Sequence, residues 1–234
     1  LTALRGKTVS VIGIGVSNRP LIEKLLEKGV AVTARDKKES LGELGAELAA
    51  QGCKLKLGED YLKDIHEDVI FRTLRPDVPE LAAAVARGSV ITSEMEAFFE
   101  VCPCPILAVT GSDGKTTTTT IISKLLAAEG KIVHVGGNIG HPLLCDTPEM
   151  APEDAAELSS FQLMTMQKSP HIAVTTNLAP NHLDVHKDYQ EYIDAKANIF
   201  THQSPKDIAV FNADNADSVT QAAKAVGEVR WFSR

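Results

Sequence analysis

Residues 111–117, Gly-Ser-Asp-Gly-Lys-Thr-Thr, combine glycines, a lysine and hydroxyl groups in a pattern that can hold an anion. A short apolar run at 105–109 precedes them. A helical pattern follows, in which four apolar residues share a face: Ile121, Ile122, Leu125 and Leu126. The segment is therefore predicted to be a turn between a strand and a helix N-terminus. Such a turn directs backbone N–H groups and the positive end of the helix dipole toward an anion.

Lys115 adds a full positive charge to this turn, and the Thr116 hydroxyl can ligate a phosphate-bound Mg²⁺. This is the chemistry of a site for the triphosphate of ATP or GTP. The full pattern G-x-x-x-x-G-K-[ST] is not met because Val109 stands five positions before Gly114, so the segment has a shorter form. The alternative is a chance Gly-Lys-Thr on a surface turn. The residues expected to bind the nucleotide are Gly111, Ser112, Asp113, Gly114, Lys115, Thr116 and Thr117.

An earlier glycine turn, Gly13-x-Gly15-x-x-Asn18, follows another apolar run at 8–12. It lacks the third glycine of a G-x-G-x-x-G fingerprint, because Asn18 takes that position. Asp36 ends the next predicted strand, where a dinucleotide-binding enzyme would hold a ribose hydroxyl. Taken alone, this turn is compatible with an NAD site, a nucleotide-sugar site or a structural Rossmann unit.

Acidic and imidazole side chains accompany two further predicted strands. Glu157 lies near the end of one strand, and ligands of open parallel sheets bind beyond the carboxyl ends of strands. It is a candidate Mg²⁺ ligand, and the alternative is a solvated turn residue. His182 and Asp184 lie in a polar loop after the next strand, where each is either a metal ligand or a structural surface residue.

Lys196 lies on the apolar stripe of a predicted helix. It is four positions after Tyr192 and four before Phe200, so these side chains share one face. The stripe consists of Tyr189, Tyr192, Ile193 and Phe200. A lysine on a buried face needs a partner or a loss of charge. The alternative is a lysine whose ammonium group reaches solvent along the helix.

Each glycine turn belongs to a strand–turn–helix–strand unit, the element that builds parallel sheets. The first unit has strands at 8–12 and 30–36, around a helix that Gly29 stops. The second has strands at 105–109 and 131–135 around a helix at 118–129. Other short apolar runs predict strands at 69–71, 90–91, 172–174 and 208–211. The fold class is therefore α/β, with two doubly wound, mainly parallel-sheet domains.

The predicted domain boundary is residues 102–105, Cys-Pro-Cys-Pro, where prolines stop a helix at 94–101 and stiffen the linker. The domains are then 1–102 and 103–234. The four cysteines show no C-x-x-C or zinc spacing. The net charge of −7 makes nucleic acid and anionic membranes poor partners. No signal peptide or long apolar stretch occurs, so we expect a cytoplasmic protein.

Five motifs occur in order along the chain, at residues 111–117, 136–140, 157–163, 177–184 and 195–196. Their combination resembles the ATP-dependent Mur ligases. Within that family, the Glu-Leu-Ser-Ser-Phe-Gln-Leu run at 157–163 is most similar to the member that joins D-glutamate to UDP-MurNAc-L-alanine in peptidoglycan precursor synthesis. The resemblance implies that ATP phosphorylates the terminal carboxylate of UDP-MurNAc-L-alanine. The amine of D-glutamate then attacks the acyl phosphate, and phosphate leaves.

The resemblance also implies the roles of individual residues. In a P-loop ATPase-like domain, Lys115 and Thr116 hold the ATP phosphates and one Mg²⁺. The resemblance implies two bound metal ions. Their four ligands are Thr116, Glu157, His182 and Lys196, of which Lys196 is carbamylated. The resemblance implies that Val16, Ser17 and Asn18 contact the UDP diphosphate and that Asp36 and Lys37 lie beside the uracil. Asn138 and Ser159 would also contact the UDP-sugar. The first domain would be a Rossmann-like UDP-sugar domain, and the protein a monomer.

The sequence departs from the family at three places. Thr73 runs straight into Leu74, where the family has Pro-Gly, and the apolar run before Glu157 is only two alanines. The family's central domain continues beyond Phe232, and a third domain then binds the amino acid. We expect those parts to lie outside residues 1–234, and these residues alone to form no product.

Three alternatives stay open at the level of sequence. The first is another Mur ligase. The second is an enzyme similar to folylpolyglutamate synthetase, which lacks a Rossmann-like domain ahead of its ATP domain. The third is a non-catalytic module that binds a UDP-sugar or a nucleotide.

Overall fold

The structure is a computed structural model that describes residues 1–15, 18–75, 77–137, 142–152, 154–159, 166–180 and 188–234; for Thr2 and residues 155–159 it describes the backbone alone. The chain divides into two compact units, 1–97 and 98–234. Within the described ranges, every helix is too short or too polar to traverse a lipid bilayer.

The first unit is a parallel sheet with helices in its crossover connections. Its strands are β1 (Thr8–Ile12), β2 (Ala31–Asp36), β3 (Lys54–Leu57), β4 (Val69–Arg72) and β5 (Val90–Thr92). Its helices are α1 (Asn18–Glu27), α2 (Glu43–Ala50) and α3 (Pro79–Ala86), and α4 (Glu94–Val101) spans the division between the units. The strands lie in the order β3-β2-β1-β4-β5, so the order reverses at β1.

Helix α1 forms because its apolar residues recur at helical spacing and meet the sheet. Leu21, Ile22 and Leu25 are buried, as an amphipathic helix on a sheet requires. Gly29, at φ +73°, ends the helix, and its N–H donates to the carbonyl of Leu26. This returns the chain to the sheet at Val30.

A buried arginine organises the irregular segment between β3 and β4. Arg35 in β2 is 1% exposed, and its guanidinium forms an ion pair with Glu67 at 3.0 Å. The same group donates to the Ser10 hydroxyl and to the carbonyls of Tyr61, Lys63 and Asp64. Burial alone would raise the pKa of Glu67, but hydrogen bonds from Thr33 and Arg35 outweigh it and lower that pKa.

The second unit is also a parallel sheet. Its strands are β6 (Ile106–Thr110), β7 (Val133–Gly137), β8 (Ala155–Ser159), β9 (Ile172–Thr175), β10 (Ile208–Asn212) and β11 (Glu228–Phe232). Its helices are α5 (Lys115–Ala128), α6 (Tyr189–Thr201) and α7 (Ala216–Ala222), with short 3-10 turns at Leu143–Cys145 and Thr147–Glu149. The order is β11-β10-β9-β6-β8-β7, so here the order reverses beside β6.

The predicted fold class is confirmed, since each unit is a doubly wound parallel sheet. Strand β1 and helix α4 have the predicted bounds. The chain was not predicted to form β3 or β11: β3 is a four-residue Lys-Leu-Lys-Leu strand, and β11 is an edge strand with exposed Trp231 and Phe232.

Helix α5 differs from the prediction in what it buries. The Thr119 side chain of this helix is fully buried, and those of Ile122 and Leu126 are half-buried. Ile121 and Leu125 are 53% and 62% exposed. The four apolar residues therefore do not form one covered face, because the pairs 121/125 and 122/126 are turned about 100° apart on the helix.

Candidate functional site

The glycine turn at 111–114 lies at the carboxyl end of β6, beside the loop that follows β9. Strand pairing aligns Thr110 with Thr175, and the N–H of Thr176 donates to the carbonyl of Thr110 at 2.9 Å. The turn is thus at the point of the sheet where strand order reverses. Open parallel sheets bind ligands in the crevice at such a point.

Gly111 has no space for a side chain. Its φ is +145°, and a Cβ there would lie 1.9 Å from the Thr176 hydroxyl and 3.0 Å from the carbonyl oxygen of Asn177. Only glycine combines this backbone conformation with so close an approach of two chain segments. The first glycine of the motif is therefore required by packing of the turn against the loop after β9.

Ser112 and Asp113 fix the turn to that loop. The N–H of Ser112 donates to the carbonyl of Asn177 at 2.8 Å, and the N–H of Asp113 donates to the Asn177 side chain at 2.9 Å. The Ser112 hydroxyl donates to the carbonyl of Ala179 at 2.8 Å and lies 2.9 Å from the hydroxyl of Tyr192. These bonds preorganise the turn before any ligand arrives.

Helix α5 starts directly behind the turn. Gly114, at φ +77°, is its N-cap and supplies no side-chain cap, and Lys115 is its first residue. Thr116 and Thr117 are exposed in the first helical turn. The N–H groups of a helix's first turn have no partners within the helix, so they are available to an anion.

Lys115 lies against the turn that precedes it. Its Nζ donates to the carbonyl of Gly111 at 2.9 Å and to that of Ser112 at 3.0 Å. Burial lowers the pKa of Lys115, and the nearby carboxylate of Asp113 opposes that shift. The ammonium group is therefore held at the mouth of the glycine turn, where phosphate oxygens would meet it.

Lys196 is buried, as its position on the apolar stripe predicts. It is 7% exposed, and its Nζ lies 4.7 Å from the centre of the Tyr192 ring. Burial lowers the pKa of Lys196 to about 8, with a further contribution from the positive charge of Lys115. The neutral amine is therefore easier to reach near physiological pH at Lys196 than at an ordinary lysine.

Several predicted site residues cannot be placed by side chain. Val16, Ser17, Asn138 and His182 lie outside the described residues. Glu157 and Ser159 are described by backbone only: Glu157 is the third of five residues in β8 and pairs with Leu107. That register puts its backbone three positions before the level of Thr110, about 10 Å along the strand.

The first glycine turn uses its polar groups within the fold. The Asp36 carboxylate accepts from the N–H of Ile14 at 2.7 Å and from that of Lys38 at 2.9 Å. The buried Asn18 amide donates to the carbonyl of Gly13 at 2.8 Å. The side chains of Asp36 and Asn18 are thus bonded to the backbone of Ile14 and Gly13, whereas the Lys37 side chain is exposed.

Three residues of the site were given no role in it from the sequence. Thr176 and Asn177 anchor the glycine turn, and Tyr192 joins it to Lys196 through its hydroxyl and its ring face. A polar Thr-Thr-Asn directly after a buried strand was the available signal for the first two. Tyr192 gave no signal, because an aromatic residue on an apolar stripe is ordinary core.

Known proteins match the second unit and the chain as a whole. A profile of the Mur ligase middle domain matches residues 109–234. UDP-N-acetylmuramoylalanine--D-glutamate ligase of Clostridium novyi (strain NT) is 50% identical over 238 residues, covering 99% of this chain and 52% of that protein. The chain thus spans about half the length of the curated relatives that it matches.

Two solved structures share the fold at low identity. The ligase for UDP-N-acetylmuramate and L-alanyl-gamma-D-glutamyl-meso-diaminopimelate (MPL) from Neisseria meningitides aligns with TM-score 0.62 and 20% identity, over 97% of this chain and 78% of that one. MurF ligase from Thermotoga maritima, in complex with ADP, aligns with TM-score 0.53 and 20% identity, over 96% and 46%. Since the family profile covers more than half of the 234 residues, the chain belongs to the Mur ligases.

Proposed function

We propose that the protein is an ATP-dependent ligase that joins D-glutamate to UDP-MurNAc-L-alanine in peptidoglycan precursor synthesis. The observation that carries the proposal is the preorganised glycine turn that opens α5, with Lys115 at its mouth and the buried Lys196 behind it. The name of the 50% identical relative supports the choice of D-glutamate over other amino acids. ATP binding is common to the family.

The chemistry is transfer of the γ-phosphoryl group to a carboxylate, then displacement of phosphate by an amine. Lys115 and the first N–H groups of α5 would hold the phosphates, so that the transferred group and the carboxylate oxygen stay in line. Most of the catalytic effect then comes from positioning and neutralisation of charge, with little covalent work by side chains. The rigid anchoring of the turn by Asn177 fits that role.

Magnesium, when bound, would neutralise charge on the phosphates. The Thr116 hydroxyl at the start of α5 is an oxygen ligand of the kind that Mg²⁺ accepts. Among the described side chains, no three His, Cys, Asp or Glu residues gather as a metal site. Glu157 and His182 are the proposed further ligands, and neither side chain is described.

We propose that the Lys196 amine adds CO₂ to form a carbamate with release of one proton. The reaction needs the neutral amine, and burial with a lowered pKa supplies it. The product is an anion. Attraction between the carbamate and the Lys115 ammonium group then replaces the repulsion between two positive charges. In bicarbonate and Mg²⁺, mass spectrometry of the native protein should show one added CO₂. An unmodified Lys196 under those conditions would count against the carbamate.

The first unit is the proposed UDP-sugar site, with the domains taken as 1–102 and 103–234. Its turn lies where the strand order reverses at β1, and Asn18 in place of a third glycine argues against a dinucleotide. Calorimetric titration with UDP-MurNAc-L-alanine and with NAD⁺ separates the two readings. Tight binding of NAD⁺ without binding of the UDP-sugar would overturn this assignment. A monomer in the cytoplasm, where ATP and UDP-sugars are available, completes the proposal.

The nucleotide site is tested by titrating MgADP and MgATP into the wild-type chain and into Lys115→Ala. Loss of the ammonium group should weaken binding by at least tenfold, and in the whole ligase should cost about 3 kcal/mol or more of transition-state stabilisation. Lys124→Ala is the matched control, because Lys124 is an exposed lysine of the same helix. Equal affinities of wild type and Lys115→Ala would remove the proposed site.

We expect ligation to need more than residues 1–234, because this chain spans about half the length of the curated relatives that it matches. Residues 1–234 alone should bind ligands and release no product. A non-catalytic binding protein is the second candidate. It is distinguished by incubating the whole protein with ATP, UDP-MurNAc-L-alanine and D-glutamate: a ligase releases ADP, phosphate and the D-glutamate conjugate in equal amounts, and a binding protein releases none.

A further inference from the structure

Two cysteine sulfurs are in contact just before β6. The Sγ atoms of Cys102 and Cys104 lie 3.5 Å apart, and the Cys102 thiol also lies 3.5 Å from the carbonyl oxygen of Cys104, to which it donates. Both cysteines are free thiols. Pro103 between them fixes one backbone dihedral, so the chain loses little further freedom when the sulfurs approach. A disulfide has its sulfurs about 2.05 Å apart, so closure needs a shift of about 1.5 Å.

The two thiols differ in access. Cys102 is half-buried, and its position after the end of α4 leaves part of it open to solvent. Cys104 is 2% exposed. Burial, followed by the neighbouring Cys102 thiol, raises the pKa of Cys104 to about 12. A small oxidant can therefore reach Cys102, while Cys104 can react only with a group delivered next to it.

We propose that Cys102 and Cys104 form a redox-sensitive pair that closes to a disulfide when it meets a small disulfide of the glutathione type. The Cys102 thiolate attacks one sulfur of the oxidant, which forms a mixed disulfide and releases one thiol. Cys104 then loses its proton and attacks Sγ of Cys102, which releases the second thiol. Two S–H groups are oxidised to one S–S bond, and the oxidant is reduced to two thiols.

The proposal does not rest on the ligase function, since neither cysteine belongs to the glycine turn or to its supports. It does place a covalent link at the base of β6, the strand that leads from Cys104 to that turn. The second step should be the slow one, because a thiol with so high a pKa is a poor attacker at neutral pH. The mixed disulfide on Cys102 should therefore accumulate before the ring closes.

The experiment uses the 1–234 chain with Cys53→Ala and Cys145→Ala, so that only the pair remains. After treatment with oxidised glutathione, intact-protein mass spectrometry should first show one added glutathione. It should later show a chain that has lost two hydrogens and retains no glutathione. Both cysteines should then resist alkylation until a reductant is added. If the double variant does not fold, peptide mapping of the oxidised wild-type chain gives the same answer by locating the linked cysteines.

Two single replacements in that background assign the steps. Cys104→Ala should stop at a stable glutathione adduct on Cys102. Cys102→Ala should stay unmodified, because Cys104 is buried. The proposal fails if Cys104 alkylates freely after Cys102 has taken up glutathione, or if Cys102→Ala is modified as fast as the parent.

Discussion

The two glycine turns of this chain open similar strand–turn–helix units, but they use their polar groups differently. At the first turn, Asp36 and Asn18 are occupied in holding the turn itself. At the second turn, the supports come from the neighbouring loop, through Thr176 and Asn177, and the helix N-terminus stays uncapped by any side chain. Because the second turn is supported from outside and has no side-chain cap, the first N–H groups of α5 remain available to a ligand.

The helices that follow the two turns differ as well. Helix α1 buries Leu21, Ile22 and Leu25, whereas α5 leaves Ile121 and Leu125 exposed. Helix α1 therefore contributes mainly to the stability of the first unit. Helix α5 contributes mainly the position of its N-terminus, which faces the glycine turn. Four sets of variants would break or sharpen this comparison.

The largest effect should come from adding a methyl group at each turn. Gly111→Ala should abolish MgADP binding and destabilise the second unit by about 4 kcal/mol or more, because its Cβ meets the backbone of Asn177 as well as Thr176. Calorimetry and urea unfolding measure the two effects. Thr176→Ala should not restore binding, since the backbone clash and the φ of +145° remain.

Gly13→Ala is the matched change at the first turn. There a Cβ would lie 2.2 Å from the Thr73 hydroxyl, and its three nearest atoms all belong to the Thr73 side chain. Adding Thr73→Ala removes that oxygen and should recover most of the stability, leaving about 1 kcal/mol of strain from the positive φ. Equal rescue at both turns would show that the two are supported alike.

A second pair of variants compares the helices. Leu25→Ala in α1 removes a side chain that is 0% exposed and should destabilise the first unit by about 3 kcal/mol. Leu125→Ala in α5 should change the stability of the second unit by less than about 0.5 kcal/mol. Chemical unfolding followed by hydrogen exchange assigns each change to its unit. A large cost for Leu125→Ala would mean that α5 is covered in solution.

A third variant tests the buried lysine through pH. The pKa of Lys196 is about 8 in the folded chain against an ordinary 10.5, so the unfolded chain binds more protons between those values. In CO₂-free buffer, the stability of the second unit should therefore rise as the pH goes from 8 to 10.5, with the full destabilisation present below 8. Lys196→Met should remove this slope and stabilise the unmodified chain at pH 7 by up to about 3 kcal/mol. An unchanged slope in Lys196→Met would assign the effect to other groups.

The smallest effect should come from neutralising one aspartate at each turn. Asp36→Asn places an NH₂ group against a backbone N–H and should cost the first unit about 1 to 2 kcal/mol. Asp113→Asn alters an exposed carboxylate whose contact with the Asn177 amide is 3.4 Å long, so its cost should be under about 0.5 kcal/mol. Thermal unfolding of both variants is sufficient. Equal costs would contradict the view that only the first turn is held by its own carboxylate.

The sequence predicted what depends on local pattern. Strand β1 and the burial of Lys196 follow from the pattern of apolar residues within one element, and the end of helix α4 follows from the prolines just after it. The contacts of Ser112 with Ala179 and Tyr192 join residues about 70 to 80 positions apart, so they depend on which strands become neighbours and in which register. No local pattern carries that information, and the same holds for the level of Glu157 relative to the turn.

The position of Arg35 also constrains the order in which the first unit can fold. The carbonyls of Tyr61, Lys63 and Asp64 converge on a guanidinium that β2 supplies, and this segment has no helix or strand of its own. We expect it to reach its native shape after β2 has joined the sheet, because its carbonyls are bound by the Arg35 guanidinium. We therefore expect the crossover from β3 to β4 to form late in folding. Loss of its contacts should then speed unfolding and leave the folding rate nearly unchanged.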